Sequence, residues 1–275
     1  MKNTLLSLFF TFNLFGCTSL LYYPTHDVYF DPAKINLKHE NIYFQNYKNQ
    51  KMHGWWFESK TKPAKGTLVF FHGNAENLTT HFIHLGWIPQ EGYNYFIFDY
   101  PGFGESEGKP NEEGVVQTSY DAIQWVHQNK DSRPLILYGQ SIGGITALRA
   151  ALEFKNKIKF RAIIIDSSFP SYQKIATYKM SKHWFTWILQ PIAYLIISDE
   201  YAPKNMAELS PIPILIIHGQ KDNTVEAFWS DQLYEQLKEP KEIWRIPEGN
   251  HIQTFWIENR IYRKKFLEYL ESQSK

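Results

Sequence analysis

Only one cysteine, Cys17, stands among the 275 residues, which excludes an intramolecular disulfide framework and any multi-cysteine metal site. A surplus of positive charge is missing too: 29 Lys and Arg face 28 Asp and Glu, for a net charge of +1. That disfavours a nucleic-acid partner, because neutralising phosphates takes a basic excess. The apolar run from Leu5 to Phe15 falls short of the roughly 20 residues a membrane span needs. No internal repeat or low-complexity linker divides the chain. What is plentiful is core material, 43% hydrophobic and 17% aromatic against 21% charged, so the chain as a whole is not disordered. At roughly 150 residues per domain, the length fits one large domain or two small ones.

The N-terminus reads MKNTLLSLFFTFNLFGC. A positive end at Lys2 followed by a short apolar stretch has the form of a secretory signal. Leu14-Phe15-Gly16-Cys17 resembles the bacterial lipobox, in which a small residue precedes a cysteine that is lipidated and becomes the new first residue. The alternatives are an uncleaved signal anchor or a buried apolar helix. The resemblance implies a signal peptide over 1–16, an acylated Cys17 as membrane anchor and a tether over 17–40. With Thr18 rather than Asp after the cysteine, it implies the outer membrane, facing the periplasm.

Apolar runs of strand length recur at Thr67–Phe71, Tyr93–Phe98, Leu135–Tyr138, Ala162–Ile165, Ile214–Ile217 and Glu242–Ile246. Most are continuous rather than alternating, as in strands covered on both faces of a parallel sheet. Helical spacing marks Gly114–Gln128, Ile142–Phe154, Glu226–Leu237 and Thr254–Leu270. Such alternation predicts an α/β fold with a doubly wound, mostly parallel sheet. Asn41–Phe44 and Met52–Glu58 read as an antiparallel pair at its edge. The starts at 162 and 214 lie 52 residues apart, too far for one crossover helix. Residues 168–206, rich in aromatic rings, are therefore expected to form a small helical cap that packs its rings and meets apolar substrate with some of them.

G-x-S-x-G occurs twice. The motif matters only where a strand turns sharply into a helix, because that turn lifts the hydroxyl above the sheet. Ser141 is preceded by PLILY and followed by a helical run, and the N–H of Ile142 falls at the helix start, where an oxyanion is favoured. Ser106 has a Pro-Gly turn before it, no helix after it and a glutamate on either side, so it reads as a loop serine. Ser141 is the candidate nucleophile.

A serine needs a base within reach and a carboxylate to orient that base. Asp222 follows the ILII strand and His251 follows the EIWRI strand, each on the next loop. Asp166, at the end of the AIII strand, is the alternative acid. His72 and His218 stand directly before glycine and read as turn residues. His81 and His84, three apart, read as part of a surface helix rather than a metal site. The second oxyanion donor is expected from the loop after TLVFF, at the N–H near Asn74, with Ala75 as the neighbouring alternative.

The segments FFHGNAEN, FDYPGFGESEG, LYGQSIGG, IIHGQKDNTV and PEGNH resemble the α/β-hydrolase superfamily from about residue 40 to the end. Within it the chain is similar to the small abhydrolase-domain and serine-aminopeptidase-like group. The resemblance implies an α/β-hydrolase domain over 41–275 and a Ser-His-Asp hydrolase without cofactor or metal. It explains Ser106, since Asp99 to Ser106 matches a structural turn of that group. It does not specify the substrate. An ester or thioester with an apolar, lipid-like acyl part is expected. Peptide or amide cleavage is one alternative, for which Glu153, Asp199 and Glu200 would have to bind an amine. A non-catalytic binding lipoprotein is the other.

Overall fold

The computed structural model describes residues 21–182, 184–188 and 190–273. Cys17 and the signal segment lie outside them. Eight strands form one sheet: β1 (Glu40–Gln45), β2 (Lys51–Phe57), β3 (Gly66–Phe71), β4 (Tyr93–Phe98), β5 (Leu135–Gln140), β6 (Phe160–Asp166), β7 (Ile214–Gly219) and β8 (Lys241–Ile246). Their spatial order is β8-β7-β6-β5-β3-β4-β2-β1. The pairings β1–β2 and β2–β4 are antiparallel and all the others parallel.

The continuous apolar runs are used on both faces. In β3, Val69 and Phe71 face one core while Leu68 and Phe70 face the other, and β5 and β6 divide in the same way. Helices α2 (Glu112–Asn129), α3 (Ile142–Phe154) and α7 (Phe228–Gln236) cover the first face with Val116, Ile123, Leu148 and Leu233. On the second lie α1 (Leu78–His81) and α8 (Ile261–Ser272), with Leu78, Phe266 and Leu270. Burying each such Leu, Ile or Phe stabilises the fold by about 1.5–3 kcal/mol. Between β6 and β7 the chain forms three more helices, α4 (Tyr172–Ser181), α5 (Trp184–Trp187) and α6 (Gln190–Ile196).

Two local readings differ from the structure. The last helix begins at Ile261 rather than Thr254, because Glu258, Asn259 and Arg260 take φ of 47°, 51° and 64°, a left-handed run that no helix of L-residues tolerates. The 17–40 segment, read as a tether, lies against the domain from residue 21 onward. Tyr23–Pro24 pairs in parallel with Ala75–Glu76, and Tyr22 and Leu37 are buried.

The strand order reverses around β3: the chain goes from β3 to β4 on one side, then crosses to β5 on the other. In such sheets the carboxyl ends of the two strands at the switch diverge and leave a crevice. Here those ends carry His72-Gly73-Asn74 and Gln140-Ser141.

At the start of α2, Asn111 caps the helix through Gly114 N–H, while Glu112 turns inward and leaves Oε1 buried without a partner. Burial pushes its carboxyl up to about 8, aided by repulsion from Asp199 and Glu200. The folded state then holds a proton that the unfolded chain releases at its lower, ordinary pKa. Stability from this site therefore falls as pH rises between about 4.5 and about 8. Glu112→Gln should flatten that fall, seen as a smaller drop in Tm than wild type between pH 5 and pH 8 in thermal melts.

Candidate active site

Ser141 sits between β5 and α3 with φ 53° and ψ −121°, a backbone state that L side chains rarely adopt. Its surroundings explain how the strain persists. A Cβ on Gly139 would fall on the Gly143 carbonyl, and one on Gly143 would fall on the carbonyl oxygen of Phe71. Only glycine at both positions lets the turn close this tightly. Ser141 N–H donates to the Asp166 carbonyl at 2.9 Å, and the Ser141 carbonyl accepts from Gly144 N–H at 2.9 Å and from Ser168 Oγ at 2.6 Å. The hydroxyl is left at the head of α3, although the residue is only 8% exposed.

His251 Nδ1 lies 2.7 Å from Asp222 Oδ2. A carboxylate can only accept, so Nδ1 carries the proton and the Nε2 lone pair is available to take one from a hydroxyl. Asp222 Oδ1 accepts from the N–H groups of Thr224 and Val225, both at 2.8 Å. Burial alone would raise the Asp222 carboxyl, yet hydrogen bonds from His218, His251 and Val225 N–H outweigh it and hold the group well below the usual carboxylate range. It remains an anion at every pH where the protein would work.

The loops of Ser141 and His251 meet on β6. Asp166 accepts from Ser141 N–H, and the next residue, Ser167, accepts from Ile252 N–H through Oγ at 3.2 Å. The His251 ring lies within electrostatic reach of Asp166 and also of His81 and His84, on the segment after β3. The backbone of Gly249 and Asn250 presses on Gly219, where a Cβ would collide, so the close of β7 sets the height of the His251 loop. Among the described residues Ser141 Oγ makes no hydrogen bond to His251. Such contacts are often long without substrate and tighten when it binds.

Asp166 does not take the role of alternative acid. Its Oδ2 accepts from Tyr138 OH at 2.7 Å and Gln140 Nε2 at 3.3 Å, and its Oδ1 from Ser167 Oγ at 2.9 Å. Burial raises its carboxyl against those bonds. Ser106 is fastened in its turn, donating to the Asp99 carbonyl and accepting from His53 N–H, each at 3.0 Å.

After β3, Asn74 is tied by Nδ2 to the Leu21 carbonyl at 3.0 Å, and its own carbonyl accepts from Tyr23 N–H at 2.7 Å. Its N–H donates to none of the loop, turn and cap bonds of the described residues. Ile142 N–H, in the first turn of α3, has no intrahelical acceptor. Asn74 and Ile142 thus present unused donors on the two loops at the switch point.

Sequence reasoning missed three supports. His218 is fully buried, donates Nε2–H to the Val225 carbonyl at 2.7 Å and lies 3.3 Å from Asp222 Oδ2, with Ser230 on its other nitrogen. Its position at the end of β7, four residues before Asp222, was the available signal. Ser168, in the Ser-Ser pair after Asp166, holds the Ser141 carbonyl. His81 corrects the surface-helix expectation: it is buried, its ring stacks on His72 at 5.0 Å, and Nε2 reaches the Ala75 carbonyl at 3.0 Å. Burial first, then the neighbouring imidazoles, keep its pKa well below the ordinary value, and burial lowers His84 to about 4. No cluster of His, Cys, Asp and Glu fit for a metal ion occurs among the described residues.

Gly143→Ala would drive a methyl into backbone rather than into a yielding side chain. It should destabilise the protein by about 3 kcal/mol or more, beyond ordinary overpacking, measured as a lower urea midpoint at unchanged slope.

A family model described as serine aminopeptidase, S33, matches residues 62–200. YfhR of Salmonella typhimurium is 34% identical over 97% of this chain and 94% of its own length. An uncharacterized membrane protein of Saccharomyces cerevisiae is 27% identical over 81% of this chain and 77% of its own. Among solved structures, an esterase from Pyrococcus furiosus superposes with a TM-score of 0.71 at 20% identity, covering 92% of this chain and 97% of that one. The match over residues 62–200, the relative that spans nearly the whole chain and the sheet order agree, and the chain belongs to the serine aminopeptidase S33 family of α/β hydrolases.

Proposed function

We propose that this hydrolase-family protein cleaves carboxylic ester or thioester bonds, with Ser141 as nucleophile, His251 as general base and Asp222 as its orienting carboxylate. The observation that carries the reading is the pairing of a serine at positive φ, at the head of α3, with a histidine whose Nδ1–H is taken by a buried carboxylate. His251 Nε2 removes the Ser141 proton as Oγ bonds to the acyl carbon. The N–H groups of Asn74 and Ile142 receive the oxyanion, where a single such donor is worth roughly 10²–10³ in rate. Collapse expels the alkoxide or thiolate, which takes the proton from His251. Water, deprotonated by the same nitrogen, then releases the acid and restores Ser141. No cofactor takes part in any step.

One further observation bears on ester against aminopeptidase chemistry. Of the three carboxylates an amine would need, Glu153 is paired with Lys157 at 2.7 Å and Asp199 accepts from Ser171 Oγ and Gln173 N–H, which leaves the exposed Glu200. The P. furiosus neighbour is an esterase, and its likeness adds weight to the fold but not to the substrate. The same proposal places the protein on a membrane, exported and held by an acylated Cys17, facing the periplasm from the outer membrane. The yeast relative is named a membrane protein. No helix among the described residues is long and apolar enough to cross a bilayer, so attachment in this reading is by the lipid.

A fluorophosphonate probe should label the wild type, and mass spectrometry should place the label on Ser141. Ser141→Ala should abolish labelling and lower turnover by about 10⁶-fold. Labelling that survives this substitution overturns the assignment. Asp222→Asn should lower kcat by about 10⁴-fold with KM little changed, since it holds the imidazole in the wrong tautomer. Across p-nitrophenyl esters, kcat/KM should rise from acetate to longer acyl chains and exceed that for aminoacyl amides; a preference for acetate or for the amides removes the apolar-acyl reading.

A further inference from the structure

The segment between β6 and β7 is rooted beside Ser141 but turns apolar side chains to solvent. At its start, Ser168 holds the Ser141 carbonyl and Tyr172 is fully buried. At its end, Asp199 is fastened by Ser171. Between those anchors, α5 and α6 pack on α4. On them Trp184, Trp187 and Leu195 are 88%, 62% and 75% exposed, and Phe185, Ile188 and Tyr194 are exposed as well. The rings expected to meet substrate thus divide: Tyr172 is core, and the tryptophans point outward.

Over its helices α4–α6 the segment's Lys, Asp and Glu are all of one sign, and Asp199 and Glu200 follow only at its end. From Tyr172 to Ser198 there are three lysines, Lys174, Lys179 and Lys182, and no Asp or Glu. Glu226 takes Lys179 and Lys182, while Lys174 is exposed and joins no ion pair among the described residues. The described chain also begins here. Leu21 is bonded to Asn74, and Tyr22 packs in the core close to Tyr172, the first residue of α4. The described chain thus starts beside the first turn of α4, four residues after Cys17.

We propose that the α5–α6 face docks on an anionic bilayer surface, seating Trp184 and Trp187 at headgroup depth. Tryptophan and tyrosine concentrate at that depth because one end of the ring system is apolar and the other polar. Short helices with aromatic and aliphatic side chains on one face and lysines beside them lie in the interface plane. Unpaired lysine adds attraction to anionic headgroups. A second copy of the chain is a poorer occupant, since the same face of that copy, without Asp or Glu from Tyr172 to Ser198, supplies no acidic partner for Lys174. The proposal is independent of the hydrolytic reading, because its test reads fluorescence and not turnover.

The test uses the full chain in vesicles of phosphatidylethanolamine and phosphatidylglycerol with brominated acyl chains, which quench only tryptophans that enter the lipid. Wild type carries nine tryptophans. The Trp184→Phe/Trp187→Phe variant keeps the face apolar and should retain its circular dichroism. Bromolipid should quench wild-type emission, and the double variant should lose most of the quenchable part. Lys174→Glu should reduce quenching on these vesicles but not on purely zwitterionic ones. Equal fractional quenching in wild type and double variant, including none in either, overturns the proposal. So does self-association by sedimentation that Trp187→Ser abolishes while bromolipid leaves emission unchanged, which would assign the face to a second copy.

Discussion

The edge of the sheet that carries the candidate site depends on how closely the backbone after β5 approaches the end of β3. Gly139 and Gly143 leave no room for a Cβ, and within that gap Ser141 takes a conformation it would otherwise avoid. Strain of this kind costs of order 1–3 kcal/mol and survives only where the surroundings over-determine it. Here three hydrogen bonds involving the Ser141 backbone, two with the Asp166–Ser168 stretch and one within α3, supply that constraint.

The second organising feature is the buried anion at the end of β7. Two histidines and two backbone N–H groups surround Asp222, one histidine sealed in the core and the other reaching the surface. The sealed one, His218, donates to the Val225 carbonyl with one nitrogen and meets Ser230 with the other, so packing fixes its ring beside the carboxylate. On the β3 side, His72 and His81 form a comparable stack beneath the loop of Asn74.

Much of the fold was legible because buried parallel strands leave continuous apolar runs, and six of them were read within two residues of their observed positions. Helix α3 matched at both ends, since the elbow fixes its start. The start of α8 was not legible: apolar spacing runs on through Thr254 to Ile257, and only backbone geometry shows that left-handed residues intervene. At the candidate site, the residues that follow strand ends were legible from order and spacing. Their supports were not, because His218, Ser168 and His81 act through contacts made by folding, and a histidine before glycine or in a short helix carries no mark of burial. The aromatic content of residues 168–206 could be counted, but which rings faced inward could not.

The short parallel pairing of Tyr23–Pro24 with Ala75–Glu76 makes the leader of the domain a structural neighbour of Asn74. Whatever holds or pulls the polypeptide ahead of Leu21 bears directly on the loop that carries Asn74. The link is two residues of ladder, and trimming the chain through Tyr23 would leave the Asn74 side-chain amide and carbonyl seeking new partners.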